Sequence, residues 1–319
     1  MPNYSGSWNL VQQMQAVAAS NWPSGFPVGT FAIFALGQNS CVIQTSTRDK
    51  YTYSGCSVLS GASASVASRQ GAATGNSITG IFALGINGCG ARINTRDKYT
   101  YSNCTNNSAT AASAASSGGS AAGNSSIGIF SLGYVQSVGY STTRNKYTYA
   151  NCTSVAATAA TIGSANGAAA GNSTFGIFAL GSTPSCTTTR DKYTYSGCVV
   201  SSGAAASLVS SSGSATGNAT VGIFALGFSC SGNVTTRNKY TYSGCTSASA
   251  TASSVASNNG SAAGNSTVGI FALGQTSSTT STVRNKYIYS GCLNSCATAA
   301  SISSRFGSAA SNGTTGVNV

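Results

Sequence analysis

The residues with chemical capacity in this chain are few and periodic. Its only acids are three aspartates, Asp49, Asp97 and Asp191, and neither glutamate nor histidine occurs anywhere in 319 residues. All three occupy one position of a hexapeptide, Arg-(Asp/Asn)-Lys-Tyr-(Thr/Ile)-Tyr, which begins at Arg48, Arg96, Arg144, Arg190, Arg237 and Arg284. General acid-base catalysis draws on His, Glu or Asp with tuned pKa values, and a nucleophile needs such a group beside it for activation. The inventory therefore argues against an enzyme. Eleven cysteines add thiol chemistry, but with no CxxC or Cys/His spacing the sequence offers neither a metal site nor a cofactor site.

The cations are ordered in the same way. The formal charge is +12, and twelve of the fifteen Lys and Arg residues are Arg48, Lys50, Arg96, Lys98, Arg144, Lys146, Arg190, Lys192, Arg237, Lys239, Arg284 and Lys286. Only Arg69, Arg92 and Arg305 fall outside the hexapeptides, so no Lys/Arg run marks a nucleic-acid footprint. Two readings of the hexapeptide cations compete. They form a ring able to contact an anionic partner such as an acidic host-surface glycan, or they are solvated hairpin tips that keep a weakly charged protein in solution. The paired tyrosines, Tyr51 and Tyr53 and their equivalents, could stack on sugars; alternation about Thr52 puts both on one sheet face, where packing between sheets is the stronger expectation.

The elements that position these residues come from a repeat of 46 to 48 residues. An apolar strand, Gly80-Ile81-Phe82-Ala83-Leu84-Gly85, recurs from Gly128, Gly176, Gly222 and Gly269, with a first copy from Ala32 to Gly37. Both of its faces are apolar, as expected for a strand covered on both sides. Before it stand a small-residue strand, such as Gly71 to Thr74, and a Gly75-Asn76 turn signal. Adding a strand before the hexapeptide and a Tyr-containing strand after its Arg-Asp tip gives four strands per unit. The expected fold is all-β, a six-bladed β-propeller of four-stranded antiparallel blades. The Ser/Thr/Ala-rich stretches between units, such as Thr246 to Asn259, read as irregular or extended crossovers.

Cysteine positions carry the argument for that tip. If Arg-Asp or Arg-Asn turns a two-residue hairpin, Cys41 lies opposite Cys56, Cys89 opposite Cys104, and Cys230 opposite Cys245, each at disulfide spacing. Cys186 and Cys198 form a fourth pair about three residues off this register. Cys152 faces Ser137 and is expected free, while Cys292 has Cys296 as its near neighbour. Closure is also legible. The first apolar strand lacks a small-residue partner, and the C-terminal Gly307-Ser308-Ala309-Ala310 supplies an orphan copy that should join it.

Residues 1–29 precede the repeats as a leader, and 30–319 form the propeller. The leader has no basic segment running into a long apolar core, and no run of about 18 apolar residues occurs in the chain. Trp8 and Trp22 read as docking anchors of this leader.

The run Gly-Asn-Ser-Thr-x-Gly-Ile-Phe-Ala-Leu-Gly, followed by Thr-Thr-Arg-(Asp/Asn)-Lys-Tyr-Thr-Tyr-Ser-Gly, resembles kelch-like β-propeller repeats of bacteriophage virion proteins, those of cyanobacterial phages in particular. Ordinary kelch repeats carry a glycine pair where Gly85 stands alone and a tryptophan where Tyr99 and Tyr101 stand. The resemblance implies a non-enzymatic virion component, a tail-fibre or capsid-decorating propeller, bound to other virion proteins through the leader and facing the host with its loops. It implies an extracellular particle made in a host cytoplasm, which reconciles many cysteines with no secretion signal. Homo-oligomers are compatible with it. The alternative is a secreted lectin-like module that holds glycan in a ring of loops.

Overall fold

The computed structural model describes residues 30–277 and 279–313; the leader, with Trp8 and Trp22, lies outside the described residues. Among the described residues there is no helix. Six four-stranded antiparallel sheets recur instead. In the second, Ala72–Gly75 is innermost, followed by Thr79–Ala83, Arg96–Thr100 and Thr105–Ala109. Small side chains explain the inner position. The inner strand of each sheet lies beside the inner strand of the next, and no side chain there is larger than threonine. In the second strand Ile81 and Phe82 point to opposite faces, and both are fully buried. Covered on both sides, they fill the space between neighbouring sheets. Phe82, Leu84, Tyr99 and Tyr101 pack with Ile33 and Ala310 of the preceding sheet.

Three boundaries differ from those the sequence suggests. The Arg-Asp pair is not a hairpin tip, because Arg48–Thr52 is one continuous strand, paired on one side with Phe31–Ala35 and on the other with Ser57–Gly61. The segment before the hexapeptide contributes no blade strand; in the second repeat it is a loop whose only pairing in a strand is Ile86–Asn87 against Ser68–Arg69. The outer strand comes from the Ser/Thr/Ala-rich stretch, so Thr246–Ala250 is a strand and only the remainder of that segment crosses to the next sheet. Low hydrophobicity hid this strand. It has one face on the blade edge and the other in solvent, and it needs few apolar residues.

The inner hairpin is also longer than a two-residue turn. Its returning strand starts at Thr79, and the Asn76 side-chain oxygen accepts the N–H groups of Ile78 and Thr79, at 2.9 Å each. The asparagine folds the loop back onto its own backbone.

The two ends of the chain meet as the orphan segment suggests. Ser308–Ser311 pairs with Phe31–Ala35, in register Phe34 to Ala309. A second circuit runs through the crossovers. Gln70 N–H donates to Phe306 C=O, Phe306 to Asn259, Asn259 to Ser212, Ser212 to Asn166, Asn166 to Gly118, and Gly118 back to Gln70, all at 2.7–2.9 Å. All six residues have φ between 53° and 62°. That left-handed conformation is uncommon for residues with a Cβ, and phenylalanine is a marked outlier. It is held six times over because each N–H and C=O would otherwise lack its partner in the crevice.

Candidate functional site

The hexapeptide forms the third strand of each blade, and strand alternation divides its six side chains between two neighbours. In the first blade, Arg48 and Lys50 face forward to the second blade, whereas Asp49 and Tyr51 face back to the sixth. Each junction between blades therefore receives one residue set from each side.

The arginine is the centre of the junction. Arg48, Arg96, Arg144, Arg190, Arg237 and Arg284 are at most 1% exposed. Each guanidinium lies over the phenylalanine of the next apolar strand, Arg48 over Phe82 at 4.5 Å and Arg284 over Phe34 at 4.6 Å. Each also donates to the second hexapeptide residue of the next blade. Arg48 reaches Asp97, Arg144 reaches Asp191, and Arg284 reaches Asp49, all at 2.8 Å. Arg96 reaches Asn145, Arg190 reaches Asn238, and Arg237 reaches Asn285, all at 3.1 Å. The contacts run round the molecule and return to their start. Half of the expected cationic ring is thus corrected: these six arginines have no exposed charge to offer a partner, because extending the strand through Arg-Asp turned both residues inward.

Burial pushes every one of these guanidinium pKa values down. For Arg96, Arg190 and Arg237 the value falls to about 10, through desolvation. For Arg48, Arg144 and Arg284 desolvation also dominates, and the facing aspartate opposes it.

The lysines occupy the half-buried edge of the same junctions. Lys50 Nζ lies 3.5 Å from Cys104 Sγ, Lys98 Nζ 3.6 Å from Cys152 Sγ, and Lys192 Nζ 3.3 Å from Cys245 Sγ. Lys50 and Lys192 also sit over Phe31 and Phe175. Tyr51, Tyr99, Tyr147, Tyr193, Tyr240 and Tyr287 are fully buried between blades. Their faces are consequently closed to a sugar. Burial raises their pKa, to about 12 for Tyr99, Tyr193 and Tyr240. The second tyrosines, such as Tyr53 and Tyr101, are also buried and direct their hydroxyls to the inner hairpins.

The cysteine pairings differ from those expected. Since Arg48–Thr52 is a single strand, Cys41 lies in the loop before it and Cys56 in the turn after it, at opposite ends. The same holds for Cys89 and Cys104, and for Cys230 and Cys245; Cys186 and Cys198 also straddle one strand. The disulfide that forms joins Cys186 to Cys230, loops of successive blades whose Cα atoms are 5.9 Å apart. Cys152 is a free thiol, and so are Cys41, Cys56, Cys89, Cys104, Cys198, Cys245, Cys292 and Cys296. A second repeating feature escaped the sequence reading. Cys56, Cys104, Cys152, Cys198, Cys245 and Cys292 occupy one turn position, with φ between 45° and 55°. Its signal was available: this cysteine follows every hexapeptide at a fixed distance.

The described residues contain no cluster of His, Cys, Asp or Glu able to hold a metal ion. No helix among them is long and apolar enough to cross a membrane. Crevices between successive blades, such as that lined by Gly37, Thr47, Arg69 and Phe306, have room for about one water molecule.

No protein-family model and no curated protein matches the chain. Among solved structures it is similar to that of YjhT, with a TM-score of 0.64 and 13% identity over 86% of this chain and 98% of that one. At that identity the likeness concerns the fold, one of β-propeller-like repeated four-stranded blades.

Proposed function

We propose that the chain is a closed six-bladed β-propeller that serves as a non-enzymatic virion component, a display platform whose loops face the host or the particle. The observation that carries the non-enzymatic part is the use made of the acids. Asp49, Asp97 and Asp191 are each buried against an arginine of the preceding blade, so the groups best suited to proton transfer are committed to holding blades together. Closure is supported by the circuit of arginines and by the pairing of the C-terminal strand with the first blade.

Display is supported by where the copies differ. The loops after each apolar strand vary in length and sequence, and they expose Val42, Ile43, Val138 and Tyr140, apolar groups with no role in the repeat. Such groups on a rigid base are suited to contact with another surface. Lysines at the blade edges supply the remaining part of the cationic ring for an anionic surface.

Purified particles from a lysate, separated by density and analysed by peptide mass spectrometry, test the location. The chain is expected to sediment with particles, and Ile43→Asp with Val138→Asp to weaken particle attachment to host cells without changing the melting temperature. Particle-free protein that binds glycans would overturn the virion reading in favour of the lectin-like one. Attachment that is unchanged between low and high salt would remove the lysines from the binding surface.

A further inference from the structure

The fixed cysteine after each hexapeptide has no part in the proposed display function, yet it occurs six times in the same strained turn. Five of the six place their sulfur within hydrogen-bond reach of a lysine from the preceding blade. The Nζ to Sγ distances are 3.3 Å for Lys192 and Cys245, 3.5 Å for Lys50 and Cys104, 3.6 Å for Lys98 and Cys152, 3.9 Å for Lys239 and Cys292, and 4.0 Å for Lys286 and Cys56. The last pair spans the sixth and first blades.

The surroundings fix both partners. The cysteine S–H of each turn donates to the carbonyl of the tyrosine three residues earlier, as Cys104 does to Tyr101 at 3.8 Å. The cysteine's own carbonyl is held from the preceding blade by a threonine hydroxyl, Thr110 on Cys152 and Thr251 on Cys292. A fully buried tyrosine completes the group: the hydroxyl of Tyr99 stands against Cys104 and the backbone of Ala62. The thiols are partly exposed, so a small oxidant reaches them. A turn needing φ near 50° would be easier with Gly or Asn. Cysteine in all six copies is therefore not explained by backbone geometry, and an apolar packing role does not explain a lysine ammonium directed at the sulfur.

We propose that these are oxidative cross-linking sites, in which a hydroperoxide joins each lysine to the facing cysteine by a nitrogen–sulfur bond between successive blades. In the first step the thiol gives its proton to water and the resulting thiolate attacks one peroxide oxygen; the S–O bond forms, the O–O bond breaks, sulfur is oxidised to a sulfenic acid, and hydroxide leaves. The hydroxide takes a proton from the facing ammonium and becomes water. In the second step the free amine attacks the sulfenic sulfur; the S–N bond forms, the S–O bond breaks, and the hydroxyl leaves as water with a proton from the nitrogen. From the thiolate onward, the sum is ammonium plus thiolate plus hydrogen peroxide giving a sulfenamide and two waters. Only small lysine movements are needed, since the closest pairs already stand at near-attack separation. Lysine is the partner the reaction requires, as a guanidinium is too weak a nucleophile at neutral pH.

The sites form a redox counterpart to the disulfide between Cys186 and Cys230, which also ties successive blades. Formed at these five junctions, the links would strap the propeller covalently at its outer turns.

The test is peptide mapping of the whole chain, without thiol reductant, after brief exposure to hydrogen peroxide. The expected product joins the Lys192 peptide to the Cys245 peptide with two hydrogens fewer than their sum, and dithiothreitol separates them. The Lys50 to Cys104 and Lys98 to Cys152 products should follow, ahead of the two longer pairs. Lys98→Arg, which keeps the charge, and Cys152→Ser should each abolish only the Lys98 to Cys152 product. Cysteines that stay reduced, that go only to sulfinic or sulfonic acid, or that pair only with other cysteines would overturn the proposal. A link retaining an oxygen between nitrogen and sulfur would overturn the direct bond.

Discussion

The six junctions are of two kinds, and their difference bears on how a buried charge is tolerated. At three of them the arginine meets an aspartate, and at the other three an asparagine; every asparagine junction adds a second side-chain acceptor, Ser154, Ser247 or Asn294, whereas among the aspartate junctions only Arg48 has one, Asn106. The adjustment lies in a hydroxyl. Ser65 donates its O–H to Asp97 at 2.5 Å, Thr161 donates to Asp191 at 2.6 Å, and Ser301 donates to Asp49 at 2.5 Å. At the asparagine junctions the amide is the donor, from Asn145 to Ser113 at 2.9 Å and from Asn238 to Ser207 at 2.8 Å. A hydroxyl that reverses its role lets one backbone accept either side chain. What cannot reverse is the charge balance, and the asparagine junctions leave a guanidinium facing only dipoles and a phenyl ring.

The largest effect expected separates the two kinds by removing the arginine. Arg48→Ala leaves Asp97 as a buried charge without its partner, and should destabilise by about 3–5 kcal/mol. Arg96→Ala leaves a neutral amide and a cavity, and should cost about half as much. Equal losses in denaturant unfolding of the two variants would mean that charge plays no part in the difference.

Alkaline titration sharpens the same contrast. At the asparagine junctions burial lowers Arg96, Arg190 and Arg237 to about 10, below the ordinary guanidinium range, so the unfolded chain holds these protons longer. Alone, they would make stability rise from about pH 10 towards the ordinary guanidinium range. The tyrosines act in the opposite direction. Their folded values lie above the ordinary 10.0, as for Tyr99, Tyr193 and Tyr240 at about 12, so the folded chain holds those protons longer. Their contribution is complete below pH 10 and is lost as pH rises through 12. Buried tyrosines outnumber these arginines, so the melting temperature should fall above pH 10, with phenolate absorbance from the twelve hexapeptide tyrosines appearing only as the chain unfolds; Tyr140, which is exposed, is replaced by phenylalanine to clear the background. Phenolate formation by the hexapeptide tyrosines ahead of unfolding would contradict their closed environment.

Exchanging the junction types gives a smaller effect. Asn145→Asp supplies Arg96 with a counter-charge and should stabilise by about 1 kcal/mol, provided Ser113 turns to donate. Asp97→Asn should lose a similar amount, with Ser65 turning to accept. A loss from Asn145→Asp would show that desolvating the new carboxylate exceeds its attraction to Arg96.

These junctions explain which parts of the molecule were legible in the sequence. The repeat, the inner small-residue strands and the C-terminal strand joining Phe31–Ala35 follow from side-chain size and periodicity, which are local properties. The hexapeptide was misplaced because Arg-Asp is ordinarily a surface pair. Only residues far along the chain let Arg48 be buried: the next blade supplies the phenylalanine and the carboxylate, Phe82 and Asp97, and the crossover supplies the Ser65 hydroxyl that donates to that carboxylate. Symmetric cysteine spacing strengthened that error. Cys41 and Cys56 are equidistant from Arg-Asp because they flank a strand, not because they face each other across a turn. The lysine–cysteine contacts were hidden for the same reason: each crosses between blades, so no window along the chain contains both partners.

The finest distinction lies in the hydroxyls themselves. Ser65 donates to a charged oxygen and its N–H donates to the same carboxylate at 2.9 Å, whereas Ser113 accepts from a neutral amide while its N–H reaches Asn145 at 3.0 Å. Both substitutions to alanine keep the backbone contact and remove only the hydroxyl. Ser65→Ala should therefore cost about 1.5 kcal/mol or more, as a hydrogen bond to a charged group, and Ser113→Ala about 0.5–1 kcal/mol. Combining Ser65→Ala with Asp97→Asn supplies the check, because the amide then lacks its acceptor while the carboxylate no longer needs its donor. If the hydroxyl is tuned to the partner's charge, the two changes together should depart measurably from the sum of their separate effects. Strict additivity would mean that the hydroxyls fill space at both kinds of junction and that the choice between aspartate and asparagine rests on the arginine alone.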